Sequence, residues 1–259
     1  MKIGIVIPTY NEAENLPKLI RALTALPLDL SVLVVDDDSP DGTGRLADEL
    51  TRTIGKLTVL HRSGKMGLAS AYSQGFRYFL NKRMEAIGQM DADFSHDPST
   101  LVDMSKRLES CDMVLGSRYI EEGSVDAHWS FWRRTLSTCG NLYANKILGM
   151  HFRDVTSGYR LWRSEALRNM PLSRIQSNGY VFQIEMAYLA HCLNYRITEI
   201  PIHFAERQNG RSKMSFQILI EGVLRVWQMR WIYRDIRSSN QILRSMRARE
   251  DLSKSRSNP

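Results

Sequence analysis

Cysteine is scarce in this chain. Its three copies among 259 residues, Cys111, Cys139 and Cys192, lie too far apart for a metal-ligand cluster or a disulfide framework. They read as isolated thiols of a reducing compartment. Long apolar runs are missing too: nothing approaches the roughly 18 uninterrupted apolar residues of a membrane-crossing helix. The opening run KIGIVIP (2–8) is too short and wrongly flanked for a secretion signal, and is expected to form a first strand. No Gly-x-Gly-x-x-Gly follows that strand, no Gly-Lys-Ser/Thr loop occurs, and there is no Gly-x-Ser-x-Gly elbow or zinc-ligand spacing. These absences argue against a dinucleotide-dependent oxidoreductase, a P-loop nucleotidase, a serine hydrolase and a zinc enzyme.

What is present is an ordinary globular composition with a formal charge of +7, which favours an anionic partner. Part of the excess is local: from Arg234 onward there are seven basic and three acidic residues in a Ser- and Arg-rich tail. No nucleic-acid-binding motif accompanies the charge, so nucleic acid is not expected as a partner.

The first half alternates strand-like and helix-like segments. Strand patterns at 2–8, 30–37, 56–61, 86–91 and 111–117 are separated by helical spacing at 13–26, 42–54, 67–82 and 98–110. Such alternation predicts an α/β fold with a mostly parallel central sheet flanked by helices. In open sheets of this kind ligands bind beyond the carboxyl ends of the strands. Polar clusters fall at those ends: 9–12, Asp36-Asp37-Asp38, His61-Arg62, Asp91-Ala92-Asp93 and Ser117-Arg118-Tyr119. The second half is less regular. A long helix is expected at 129–149, entered through Trp129, then a loop and short helix at 154–167, a helix at 179–193, a late strand at 195–207, a basic loop at 207–214 and a helical segment at 215–237. This divides the chain into a catalytic domain (1–215), a C-terminal helix (216–237) and a basic tail (238–259).

The stretch GQMDADFSHDP (88–98) sets Asp91 and Asp93 two residues apart directly after an apolar run. On extended backbone both carboxylates point to one side and repel. A hard divalent cation between them, Mg2+ or Mn2+ sharing substrate phosphate oxygens, relieves that repulsion; the plainer reading is a solvated Asp-rich turn. Acidic and basic groups gathered at the strand ends suit transfer of a group away from a diphosphate, with cations stabilising charge on the leaving group.

In order along the chain, PTYNE (8–12), VVDDDSPDGT (34–43), GLASAY (67–72), DADFSH (91–96), GSRY (116–119) and DVTSGYR (154–160) resemble the family-2 glycosyltransferases, and within them the dolichol-phosphate (polyprenyl-phosphate) mannosyltransferases. The resemblance covers about residues 1–215 and implies a GT-A fold, an inverting reaction, a GDP-mannose donor and a polyprenyl or dolichyl phosphate acceptor. It places Pro8, Tyr10 and Glu12 around the donor's base and ribose, with Val35 and Asp37 against the same nucleoside. It makes Asp91, Ala92 and Asp93 the metal and diphosphate site and Arg118 a donor contact. Arg207 and Lys213 would close over the diphosphate, and Arg133 and Ser137 would lie near the acceptor phosphate. Ser95 departs from relatives that carry Gln there, and stays outside the ligand set.

Other readings remain open at this level. Arg118 could pair with Asp91 or Asp112, Asp154 and Ser157 could cap the following helix, and Arg133 adjoins Arg134. The donor could be UDP-glucose, or the acceptor a soluble alcohol needing a general base, for which Asp154 is the first suspect. A phosphate acceptor is already anionic and needs no base, which accounts for the lack of a convincing His or Cys nucleophile; His61, His96 and His128 are expected to be structural or near substrate. A membrane-resident acceptor implies a cytoplasmic protein acting peripherally at a membrane's cytoplasmic face, through the membrane surface or a membrane partner subunit. The helix at 216–237 is the candidate contact, though it could equally pack on the catalytic domain.

Overall fold

The structure is a computed structural model that describes residues 1–205 and 216–239, with 216–221 described by backbone alone. One sheet has seven strands: β1 (Lys2–Thr9), β2 (Asp29–Asp36), β3 (Leu57–His61), β4 (Ala86–Gln89), β5 (Met113–Ser117), β7 (Arg160–Arg163) and β8 (Ile197–Pro201). A separate two-stranded sheet pairs β6 (Ser124–Val125) with β9 (His203–Phe204). The helices are α1 (Leu16–Thr24), α2 (Thr43–Thr51), α3 (Leu68–Asn81), α4 (Thr100–Leu108), α5 (Phe131–Leu148), α6 (Ser164–Asn169), α7 (Gly179–Cys192) and α8 (Phe216–Ile232).

The large sheet runs in the order β3-β2-β1-β4-β7-β5-β8. Its pairings are parallel except around β7, which is antiparallel to both β4 and β5. Arg160–Arg163 was expected to be loop; it is instead a strand in the middle of the sheet. The segment RLWR has no clean alternation because it is buried on both faces, and only its neighbours decide that it pairs.

Alternation along the strands divides the core in two. Ile3, Ile5, Ile7, Val32 and Val34 face α1, α2 and α4, meeting Leu19, Ile20, Ala47, Leu101 and Met104. Val6, Leu33, Val35, Ile87 and Trp162 face the other way, toward Tyr72, Phe76 and Phe79 of α3 and a largely apolar, buried α7. Helix α3 lies close over β1: a Cβ added at Gly75 would stand 2.3 Å from Val6 Cγ1, so the backbones approach to a distance only glycine allows.

Helix α5 begins at Phe131 rather than Trp129. The Ser130 side chain caps it, accepting from the Arg133 backbone N–H at 3.3 Å, and Gly149 ends it with φ of 70°. Helix α8 seats Val226 and Met229, and Tyr233 just past its end, in the same core as α7. Tyr233 donates to the wholly buried Glu185 of α7 at 2.7 Å, and Arg174 pairs with Asp235 and donates to the Ile232 carbonyl. No helix among the described residues is long and apolar enough to cross a membrane.

Candidate active site

The polar clusters meet at the carboxyl ends of β1 to β5, as a mostly parallel sheet requires. At the end of β1, Tyr10 is half-buried with Lys65 Nζ 3.9 Å above its ring, and Asn11 takes a left-handed φ of 64°. The turn is held from the β2 side. Ser39 Oγ accepts from the Asn11 N–H at 3.1 Å, Thr43 Oγ1 from Glu12 N–H at 2.9 Å, and Asp41 from Ala13 N–H at 3.1 Å. Asp41 also accepts from the Thr43 N–H and hydroxyl, which fixes the turn around Gly42. Glu12 accepts from Asn15 Nδ2 at 3.0 Å. Pro8 is half-buried and paired in register with Val35, whose side chain lies wholly inside the core; what Val35 can offer a ligand is backbone.

Asp37 is buried in an ion pair with the equally buried Arg62, Oδ1 to Nη1 at 2.6 Å, and accepts the Gly67 N–H at 3.1 Å. Arg62 also donates to the Gly67 carbonyl and to Ser70 Oγ. A single buried pair thus ties the ends of β2 and β3 to the start of α3.

Past β4 the chain bends through Asp91–Ser95, with Phe94 at φ 57°. The Asp91 side chain retains 29% exposure; it accepts from Tyr72 Oη at 3.3 Å and lies 3.8 Å from His96 Nε2. Tyr72 is entirely buried, and burial together with the Asp91 charge pushes its phenol well above the usual range. Asp93 is buried, its Oδ1 accepting from both the N–H (3.1 Å) and hydroxyl (2.5 Å) of Ser95. Ser95 therefore orients one of the carboxylates. Ala92 is buried between them. His96 stacks on Tyr159 and meets Phe204 edge-on, while the Ala205 N–H donates to the Ser95 carbonyl, so β9 pins the acidic loop.

The donors here suit a hard cation. Two carboxylates offer oxygen, and Gly158 leaves room beside Asp91, where a Cβ would stand 3.4 Å from Oδ2. Among the described residues no group of three or more His, Cys, Asp or Glu is placed to hold a metal, so a cation at Asp91 and Asp93 would complete its shell from substrate oxygens or water.

Beyond β5, Arg118 is paired not with Asp91 or Asp112 but with Asp154. Its Nε and Nη2 reach Oδ2 and Oδ1 at 2.6 and 2.7 Å, and its backbone N–H adds a third bond at 3.0 Å. Thr156 and Asn141 complete the shell. Burial pushes the Asp154 carboxyl up, but the bonds and charge of Arg118 outweigh it and hold the group below the usual carboxylate range. Asp154 is thus no helix cap, and as a base it is fully engaged. Ser157 serves Tyr159 N–H, and the segment after it is β7 rather than a helix. Asp112 instead pairs with Arg196.

Helix α5 resolves the adjacent arginines. Arg133 lies over the indole of Trp129, 4.1 Å from ring centre, with Arg118 5.8 Å from that same ring; Arg134 is exposed. Ser137, one turn on, accepts from Tyr119 Oη at 2.7 Å. Arg118, Arg133 and Ser137 so form one basic, hydroxyl-bearing flank. Arg207 and Lys213 lie outside the described residues. The other histidines sit apart: His61 and His128 pair with Asp48 and Asp126 at the surface.

Two residues of this centre have no role that the sequence alone assigns. Tyr72, in GLASAY, touches Asp91. Arg160, in DVTSGYR, is wholly buried and donates to the carbonyls of Ser157 and Val155, which shapes the loop carrying Asp154. The available signal was an Arg leading directly into the apolar pair Leu161-Trp162, and a Tyr on the buried side of a helical stretch.

The sheet thus carries an acidic, oxygen-rich loop and a basic flank at the carboxyl ends of its strands, the place where an α/β enzyme holds its ligands. The chain belongs to glycosyl transferase family 2, whose family model matches residues 4–170, and it is a glycosyltransferase. It is 42% identical over 231 residues, 89% of this chain and 94% of the relative, to the undecaprenyl-phosphate mannosyltransferase of Micrococcus luteus. It is 40% identical over 230 residues, 87% of this chain and 86% of the relative, to the polyprenol monophosphomannose synthase of Mycolicibacterium smegmatis. A solved mannosyltransferase from Pyrobaculum calidifontis, in complex with GDP-Man and Mn2+, shares the fold with a TM-score of 0.54 and 20% identity, over 82% of this chain. This chain spans 58% of that longer protein.

Proposed function

We propose that the enzyme transfers mannose from GDP-mannose to a polyprenyl phosphate, with inversion, releasing GDP. Near-full-length similarity to two polyprenyl-phosphate mannosyltransferases supports the acceptor and the sugar. The observation in the structure that carries the reading is the Arg118–Asp154 pair: the carboxylate best placed in sequence to be a general base is buried and committed to an arginine. A phosphate acceptor makes that tolerable. It is ionised near neutral pH, so its oxygen attacks the anomeric carbon directly while the bond from that carbon to the GDP oxygen breaks and GDP leaves with the electron pair. A soluble alcohol would have to lose a proton, and Asp154 is not available to take it.

In this reading Arg133 and Ser137 hold the acceptor phosphate, Tyr10, Glu12 and the Asp37 turn hold the nucleoside, and Arg118 lines the donor side. Mg2+ or Mn2+ held by Asp91 and Asp93 would neutralise charge on the departing diphosphate; the Mn2+ in the Pyrobaculum complex is in keeping with this. Arg207 and Lys213 would add positive charge there. The protein acts peripherally at the cytoplasmic face of a membrane.

The test is transfer of labelled sugar from GDP-mannose, beside UDP-glucose, to polyprenyl phosphate in detergent with Mg2+ or EDTA. Lipid-linked mannose that disappears with EDTA is expected. Glucose transfer instead would overturn the donor, persistence in EDTA would overturn the metal, and sugar on a soluble alcohol alone would overturn the acceptor.

A further inference from the structure

Beneath the acidic loop lies a short row of buried amides that the reaction as described does not use. Gln89, the last residue of β4, is wholly buried, and Gln183 of α7 is 2% exposed. A carboxamide kept in the interior has lost its water partners and is normally bonded there. The indole N–H of Trp162 donates to Gln89 Oε1 at 2.8 Å, and Gln89 Nε2 donates to Gln183 Oε1 at 3.4 Å. An indole can only donate, so it fixes which end of Gln89 is oxygen, and Gln89 in turn fixes Gln183. The far end of Gln183 is therefore nitrogen. Among the described residues that Nε2 has no hydrogen-bond partner. It is aimed at the reaction centre: a Cβ built on Gly158 would stand 3.3 Å from Gln183 Nε2, and 3.4 and 3.5 Å from Oδ2 and Oδ1 of Asp91. An amide donor and a carboxylate thus border one space over the Gly158 Cα. Asp91 opens it to the cleft, with 29% of its side chain exposed. Tyr72, which donates to Asp91, stacks on Phe182 with ring centres 5.8 Å apart, so one packed layer sets both groups.

We infer that Gln183 and Asp91 together hold one hydroxyl of the donor's sugar in the space over Gly158. The chemistry of the spot selects a hydroxyl. At this point, unlike on the rest of the Asp91 carboxylate, a cation would face amide hydrogens, and a phosphate oxygen would face a negative charge. A hydroxyl accepts from the amide and donates to the carboxylate. The carboxylate has about four lone-pair sites, enough for Tyr72, a cation and this hydroxyl together. The inference rests on the proposed sugar-nucleotide donor and deepens it, by naming a residue that reads the sugar rather than the nucleotide. A sugar lacking that hydroxyl would leave a buried donor unpaired, which is how a site rejects an analogue. Gln183 is in this sense a specificity residue, and the Trp162–Gln89 relay behind it sets its polarity.

The test uses the full chain and calorimetry with Mg2+, comparing GDP-mannose, GDP, and GDP-mannose analogues that each lack one sugar hydroxyl. Gln183→Met removes the amide hydrogens. Gly158→Ala fills the space and leaves both groups in place; the Gly158 φ is not positive, so alanine brings no backbone strain. Each variant should weaken GDP-mannose by about tenfold, the effect of one hydrogen bond, and leave the Kd of GDP at the parental value. One deoxy analogue should bind parent and Gln183→Met equally, because the hydroxyl it lacks is the one the amide holds; the others should still lose about tenfold. An equal loss for GDP and GDP-mannose would move Gln183 to the nucleotide or the metal and overturn the inference. So would a loss shared by every analogue, or parental binding in both variants. Should Gln183→Met fail to fold, Gly158→Ala decides by the same two comparisons. A parent that binds UDP-glucose in place of GDP-mannose would overturn the proposed donor alone, and the variants are then read against UDP-glucose and UDP with the same outcomes.

Discussion

Arg118 Nε lies 2.6 Å from Asp154 Oδ2 with both side chains buried, and this one pair joins the end of β5 to the loop before β7. Removing one partner strands the other charge in the interior. Asp154→Asn is expected to cost about 3–5 kcal/mol, read as a lower denaturation midpoint. The acid arm follows in sign. A carboxyl held below its unfolded value contributes stability above the unfolded pKa and loses it as pH falls through the folded one. The parent should therefore weaken below about pH 4 through this group, and Asp154→Asn should lack that share of the acid sensitivity. A variant as stable as the parent would show that the pair contributes nothing net.

Asp91→Asn and Asp93→Asn keep the shape of the acidic loop and remove its charge. Each should reduce transfer by roughly 10²–10³ with little change in thermal midpoint. Single-turnover measurements with donor in excess give the comparison; parental rates in either variant would remove that residue from the centre.

Arg133→Ala should raise the acceptor KM by about tenfold and leave the donor KM alone, whereas Arg134→Ala in detergent should change neither. The contrast follows from their placement, one over Trp129 and the other in solvent. Equal effects from both would erase the distinction.

Gly75→Ala puts a methyl where Val6 already stands, 2.3 Å from Cγ1. Overpacking between α3 and β1 should cost about 1–3 kcal/mol, visible in urea unfolding. A neutral result would mean that α3 can lift from the sheet without cost.

Tyr233→Phe deletes the hydroxyl bond to Glu185 at 2.7 Å. Glu185 keeps the N–H groups of Gln176 and Ser177, so the expected loss is about 1–2 kcal/mol. Faster amide exchange should be confined to α8 if that bond is what holds it down.

The parallel framework and the acidic centre were legible because both are local signals. Strand and helix periods in residues 2–117 are read within single segments, and Asp91 and Asp93 announce themselves by their spacing. What escaped was decided at a distance. Nothing near Arg118 in sequence identifies Asp154 as its partner 36 residues on, and RLWR becomes a strand only because β4 and β5 each leave an edge for it. Helix α8 was legible as a helix, but not which of its sides packs inward: a helix apolar on both its core and outer sides has no single stripe to read.

The reversed strand in the centre of the sheet also bears on how the protein is made. Strands β4 and β5 are never neighbours; β7 stands between them, paired to both. During synthesis the chain through α4 leaves the ribosome with β4 presenting an open edge, and that edge closes only after residue 163 emerges. The acidic loop is translated early, but the loop that supplies Arg118 with its counter-charge is delivered by the same late insertion. A nascent chain stalled before β7 would therefore be adhesive, and the step that closes its open edge is the step that gives Arg118 its buried partner.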